Sequence, residues 1–146
     1  MRRSISVLAI ALVVLLLAAG STTAQSQYTD QVFRQLQEMY DDAGEDGLYL
    51  RNYIVGSLDQ GEEDIWTMTF YEDTEYVIYG ACDRDCGDID LTIMGEDGTV
   101  VDSDTLSDDY PVVSVLPSKD TRYQVKATMY ACSAEPCYFG IGIFND

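Results

Sequence analysis

The chain is predicted to be mainly β: an antiparallel, jelly-roll-like β-sandwich of about eight strands preceded by one N-terminal helix. Three observations predict it. From residue 48 onward, apolar residues recur at every second position in short runs, the period of a half-buried strand. Turn residues separate these runs, as they do between the strands of sandwiches and barrels. The only segment with helical spacing lies before residue 48. Strands without interleaved helices pack as antiparallel sheets face to face rather than as a helix-flanked parallel sheet.

The first element is a leader. Met1-Arg2-Arg3 supplies positive charge, residues 5–18 are almost wholly apolar, and "STTA" ends on Ala24. This is the layout of a signal peptide spanning 1–24. The apolar run is shorter than the roughly 20 residues of a spanning helix, and no basic cluster follows to stop transfer. An uncleaved anchor is the competing reading. No cysteine follows "LAAGS", which argues against a lipid-modified N-terminus. Cleavage after Ala24 would leave a soluble 122-residue chain, 25–146, enough for one core, in a secreted or periplasmic location.

The leader would carry away two of the eight basic residues and none of the 26 acidic ones, taking the formal charge from −18 to about −20. Such a chain repels phosphate backbones and anionic lipid, so no nucleic-acid partner is expected, and no membrane partner after cleavage. The charge serves either solubility or cation binding. With only Lys119 and Lys126 as lysines, the first is the simpler reading.

Residues 25–47 form an N-terminal helical segment. Val32, Leu36, Met39 and Ala43 share a stripe over 28–43, the pattern of a docking face, with a loosely held arm next to the leader as the competing reading. Thr29 or Asp30 is placed to cap the first amides, and Gly44 to end the helix, with Gly47 after it.

The sandwich domain spans 48–146. "YIVGSL" (53–58) is its first strand. In "DIWTMTF" (64–70), Trp66, Met68 and Phe70 share a face and are expected to be buried together. "TEYVIYGA" (74–81) sets Tyr76 and Ile78 against Val77 and Tyr79, and "DIDLTIM" (88–94) sets Ile89, Leu91 and Ile93 against Asp90 and Thr92. "TVVDS" (99–103) and "VVSVL" (112–116) are short. In "RYQVKATMY" (122–130), Tyr123, Val125, Ala127 and Met129 point one way. "YFGIGIF" (138–144) interleaves Phe139, Ile141 and Ile143 with glycines. Turn residues such as Glu96-Asp97-Gly98 and Asp120-Thr121 fall between the runs.

Four cysteines remain: Cys82, Cys86, Cys132 and Cys137. In an exported chain disulfides are the default. Three connectivities exist. The local pairs Cys82–Cys86 and Cys132–Cys137 are favoured because each flanks a short loop at a strand end, and the rival joins Cys82 to Cys132. A four-cysteine zinc site usually has tighter spacing.

"CDRDCGDID" (82–90) also concentrates aspartates. Asp83, Asp85 and Asp88 are candidate calcium ligands, since calcium is held by several loop oxygens. A helix–loop–helix calcium motif is absent, because Cys86 and Gly87 stand where it needs ligands. Asp90 falls on the non-core face of a strand. Asp102, Asp104, Asp108 and Asp109 form a second acidic run with the same two readings, ligands or solvated charge. No other cofactor is expected.

The chain has no histidine, which removes Ser-His-Asp and Cys-His catalysis and histidine-ligated metals. No phosphate-cradling glycine loop is present. Paired carboxylates leave glycosidase-like chemistry open by residue type, but most of those acids lie in turns without an apolar pocket to raise a pKa. The eleven tyrosines are either half-buried packing or surfaces for stacking.

"DIDLTIMGEDGTVVDSD" (88–104) resembles the segment of bacterial pre-peptidase C-terminal domains that reads apolar-Asp-Leu-x-apolar, then a turn ending in Gly, a Val/Leu pair and Ser-Asp. "TEYVIYGAC" (74–82) and "RYQVKATMYAC" (122–132) are similar to that family's flanking strands, so the resemblance spans 52–144. It implies a secreted jelly-roll sandwich, usually appended to a hydrolase, with relatives that bind calcium and extracellular polymers such as collagen. Paired cysteines are not a general feature of the family. The expected function is an exported, non-catalytic accessory or binding module, not an enzyme, with an extracellular polymer or protein as partner and a monomeric state. The alternative is a small secreted carboxylate-dependent hydrolase.

Overall fold

A computed structural model describes residues 20–146, with side chains from Gln27 onward. Most of the expected signal peptide lies outside the described residues. The elements are a helix α1 (Gly20–Glu45) and eight strands: β1 (Tyr49–Leu58), β2 (Glu63–Phe70), β3 (Tyr76–Cys82), β4 (Cys86–Gly95), β5 (Val100–Asp104), β6 (Val112–Val115), β7 (Thr121–Cys132) and β8 (Cys137–Asn145). No described helix is long and apolar enough to cross a membrane.

Two four-stranded sheets form, in the orders β1-β8-β3-β6 and β2-β7-β4-β5. The antiparallel pairs β1 with β8, β2 with β7, β3 with β6 and β4 with β5 are joined into sheets by β3 with β8 and β4 with β7, also antiparallel. In the first set, first pairs with last, second with second-last, and so inward: one long ribbon folded across two sheets, the jelly-roll arrangement. The alternating residues read from the sequence meet between the sheets. Ile78, Ile89, Leu91, Ile93, Val125 and Ile141 are fully enclosed there.

The helix differs from expectation at both ends. It begins at Gly20 and runs through Thr29 and Asp30 rather than being capped by either, because no Gly or Pro interrupts residues 21–43. At its other end Gly44 is still helical. The backbone N–H of Leu48 donates to the Ala43 carbonyl at 2.9 Å and that of Gly47 to Gly44 at 3.2 Å, a helix-ending pair that needs Gly47 at φ 83°.

Val32, Leu36 and Ala43 are buried, and the helix packs mainly on the outer face of β8. Gly140 makes this close approach feasible. A Cβ there would lie 2.7 Å from Val32 Cγ1 and 2.9 Å from Leu36 Cδ1. The glycines of "YFGIGIF" thus line the helix side of β8, while Phe139, Ile141 and Ile143 fill the core.

One packing expectation is corrected. Phe70 is enclosed, but Trp66 and Met68 are only half-buried. The reason is β2's position at a sheet edge, where a core-facing side chain lacks neighbours on one side. Trp66 packs on Phe139 with ring centres 5.9 Å apart.

Candidate functional site

The structure pairs Cys82 with Cys86 and Cys132 with Cys137, with Cα–Cα distances of 5.8 and 5.9 Å. Because Cys86 lies opposite Cys132 and Cys82 opposite Phe139, both cystines sit at one end of the sandwich. Asp83 stitches their loops together. Its Oδ1 accepts the backbone N–H groups of Asp85 (3.1 Å) and Cys86 (3.2 Å), and its Oδ2 accepts that of Tyr138 (2.9 Å). The Ser133 N–H and hydroxyl both donate to the Asp85 carbonyl. Arg84 lies 5.3 Å over the Tyr28 ring, which stacks on Tyr138.

The three calcium candidates are not brought together as a donor set. Asp83 is buried with both oxygens engaged by amides, and Asp85 is half-exposed. Asp88 is 6 % exposed, and its Oδ1 has no hydrogen-bond partner. Among the described residues no group of three or more His, Cys, Asp or Glu side chains is placed to hold a metal ion. Burial, followed by the charge of Asp108, pushes the Asp88 carboxyl up from the usual range. Asp90 is pushed up by burial and by Asp88 and Asp104, against the pull of Lys126. Burial also raises Asp83, although its three amides oppose it.

The second acidic run proves to be largely backbone chemistry. Asp102 Oδ2 accepts the Ser114 N–H at 2.8 Å, and Asp104 Oδ2 accepts the Val112 N–H at 2.9 Å. These contacts carry β5 of one sheet to β6 of the other and close that side of the sandwich. Asp108 accepts the Tyr110 N–H within its own loop.

The opposite side, between β1 and β2, stays open. A groove of about 480 Å³ there has Met68, Phe70, Tyr76 and Ile143 along its floor and Arg51, Asn52, Asn145 and Tyr71 at its rim. Arg51 donates from Nε to the Asn145 side-chain oxygen and lies 5.6 Å over the Tyr49 ring. Two smaller grooves flank α1. One, of about 340 Å³, is aromatic, with Phe33, Tyr40 and Tyr53. The other, of about 350 Å³, is rimmed by Glu38, Asp42 and Asp46 beside Tyr79 and Tyr110.

Sequence reasoning did not single out Arg51, Asn52 or Asn145, and no local pattern marks them, since β1 and the C-terminal residues meet only through pairing. It also missed Gln35, whose Nε2 donates to the Cys82 carbonyl at 2.9 Å and to the Tyr110 hydroxyl at 3.0 Å.

No family model and no curated protein matches the chain. Among solved structures it is similar to the pre-peptidase C-terminal domain of a Bacillus anthracis collagenase. That match has a TM-score of 0.52 and 14% identity, and covers 64% of this chain and 89% of that one. It is also similar to a periplasmic inhibitor of g-type lysozyme from Aeromonas hydrophila, with a TM-score of 0.44 and 8% identity over 63% and 84% of the two chains. A CBM4 structure matches with a TM-score of 0.41 and 13% identity over 68% and 79%. The first likeness agrees with the sandwich fold read from residues 52–144.

Proposed function

We propose that the protein is an exported, non-catalytic accessory or binding module that takes an extracellular polymer or protein along the open side between β1 and β2. One observation carries this reading. The β5–β6 side is bridged by aspartates and one end is closed by cystines, whereas the β1–β2 side keeps a concave apolar floor with a few polar groups at its rim. That is the usual make-up of a ligand site.

Export is supported by the leader-like residues 1–24 and by two cystines, which persist in oxidising compartments. The resemblance to pre-peptidase C-terminal domains supports an accessory role. The hydrolase reading is disfavoured because no Asp or Glu lines the groove, so it offers no acid–base pair to a bound substrate.

Trp66 is the only tryptophan and shares the face of β2 with Met68 and Phe70. Titrating the protein with soluble collagen peptides and polysaccharides, with and without calcium, should shift its fluorescence for the polymer that binds. Met68→Glu and Asn52→Ala should weaken that binding at least several-fold. Binding untouched by both substitutions would overturn the assignment of the groove, and release of shortened polymer would overturn the non-catalytic reading.

A further inference from the structure

The four edge strands are β1 and β6 in one sheet and β2 and β5 in the other. Each has at least one backbone amide occupied by an Asp or Asn side-chain oxygen. On β1 the Tyr53 N–H donates to Asn52 Oδ1 at 2.9 Å, and on β2 the Ile65 N–H donates to Asp64 Oδ1 at 2.9 Å. On β5 the Ser103 N–H donates to Asp102 Oδ1 at 2.9 Å. On β6 both Val112 and Ser114 donate to aspartates of β5. In the central strands the corresponding contacts occur only at the cystine-bearing ends, on Cys86, Cys132 and Tyr138.

An edge strand offers unpaired amides and carbonyls to any other strand, so native sheets blunt their edges. We infer that these side-chain caps, above all Asp102 and Asp104 on β6, occupy the amides that a strand of a second copy would need, and so keep the chain from associating edge to edge. Two further features act in the same direction. β6 is four residues long and bounded by Pro111 and Pro117, and the pairings of β1 and β5 are broken by register shifts. Asn52 performs the same capping without charge, so the device depends on an acceptor oxygen placed at the amide and not on repulsion alone.

The test separates capping from charge. Asp102→Ala/Asp104→Ala and Asp102→Asn/Asp104→Asn remove the same two charges, but each asparagine keeps one acceptor oxygen, which can still cap Ser114 or Val112 if it gives up the local contact to Ser103 or Leu106, whereas alanine keeps none. Sedimentation velocity over a concentration series should show the wild type and the asparagine pair as monomers and the alanine pair as larger species, with β-rich circular dichroism confirming that all three fold. Equal association of both pairs would show that charge and not capping is at work. A wild type that self-associates, or an alanine pair that stays monomeric at its highest soluble concentration, would overturn the inference. If the alanine pair does not fold, hydrogen exchange on the wild type decides. The Val112 and Ser114 amides should be protected at least tenfold relative to exposed loop amides, and exchange at the loop rate would overturn it.

Discussion

Asp83 and Asp88 lie five residues apart and are both buried, yet their environments have opposite consequences. Asp83 accepts three backbone amides. An asparagine there would turn its NH₂ toward a donor, so we predict that Asp83→Asn costs about 1–3 kcal/mol. Asp88 has an oxygen with no partner and faces the charge of Asp108. Asp88→Asn should therefore stabilise the fold at neutral pH by about 1 kcal/mol. Chemical denaturation of both variants checks the pair, and the opposite signs would refute this reading. Folding raises the carboxyls of Asp83, Asp88 and Asp90. Their contribution to stability is thus fully present below the unfolded carboxylate range and is lost as pH rises through the raised values. Melting temperature should climb from neutral pH into mild acid, and Asp88→Asn should flatten that climb. Trp66→Ala should cost about 2 kcal/mol, below the 3–5 kcal/mol of a fully enclosed aromatic, because Trp66 is only half-buried.

At the scale of elements, α1 is seated on β8 by a close approach at Gly140. Gly140→Ala would put a methyl group against Val32 and Leu36 at under 3 Å. We predict a loss of about 1–3 kcal/mol, with faster hydrogen exchange in α1 and unchanged protection in the central strands. An α1 as protected as in the wild type would show that the helix can slide without losing its seat. The cystines act on shorter loops, with sequence separations of 4 and 5. Loop-closure entropy for such short loops is worth about 2 kcal/mol each. Reduction should lower the melting temperature accordingly, and a chain indifferent to reductant would show that the hydrogen bonds around Asp83 hold that end unaided.

Across the whole molecule the formal charge of −18 faces only two ion pairs among the described residues, Arg122–Glu96 at 2.9 Å and Lys126–Glu63 at 3.1 Å. Pairs as solvent-exposed as Arg122–Glu96 contribute little, so self-repulsion outweighs them. Added salt shortens the range of that repulsion. The melting temperature should therefore rise from low to physiological ionic strength, and a fall would mean that attractive pairs dominate. At this scale the roles of the aspartates also become clear. The run from Asp102 to Asp109 read as either ligands or solvated charge. In the fold, Asp102 and Asp104 bridge the sheets, a role invisible along the chain because Val112 and Ser114 belong to a different strand.

The sequence by itself determined the eight strands, the inward-facing residues of β3, β4, β7 and β8, and the apolar stripe of α1, though not whether that stripe docks. These follow from local periodicity, since a side chain's face is set by its place in a strand or a helical turn. Only the tertiary structure decided which strands became edges, and hence that Trp66 and Met68 stand half-open while Phe70 is enclosed. It also decided that Asp83 serves amides while Asp88 is left unpartnered, and that the groove opens between β1 and β2. Those outcomes depend on which distant strands pair, such as Tyr49 with Asn145, and period-two alternation looks the same on an edge strand as on a central one.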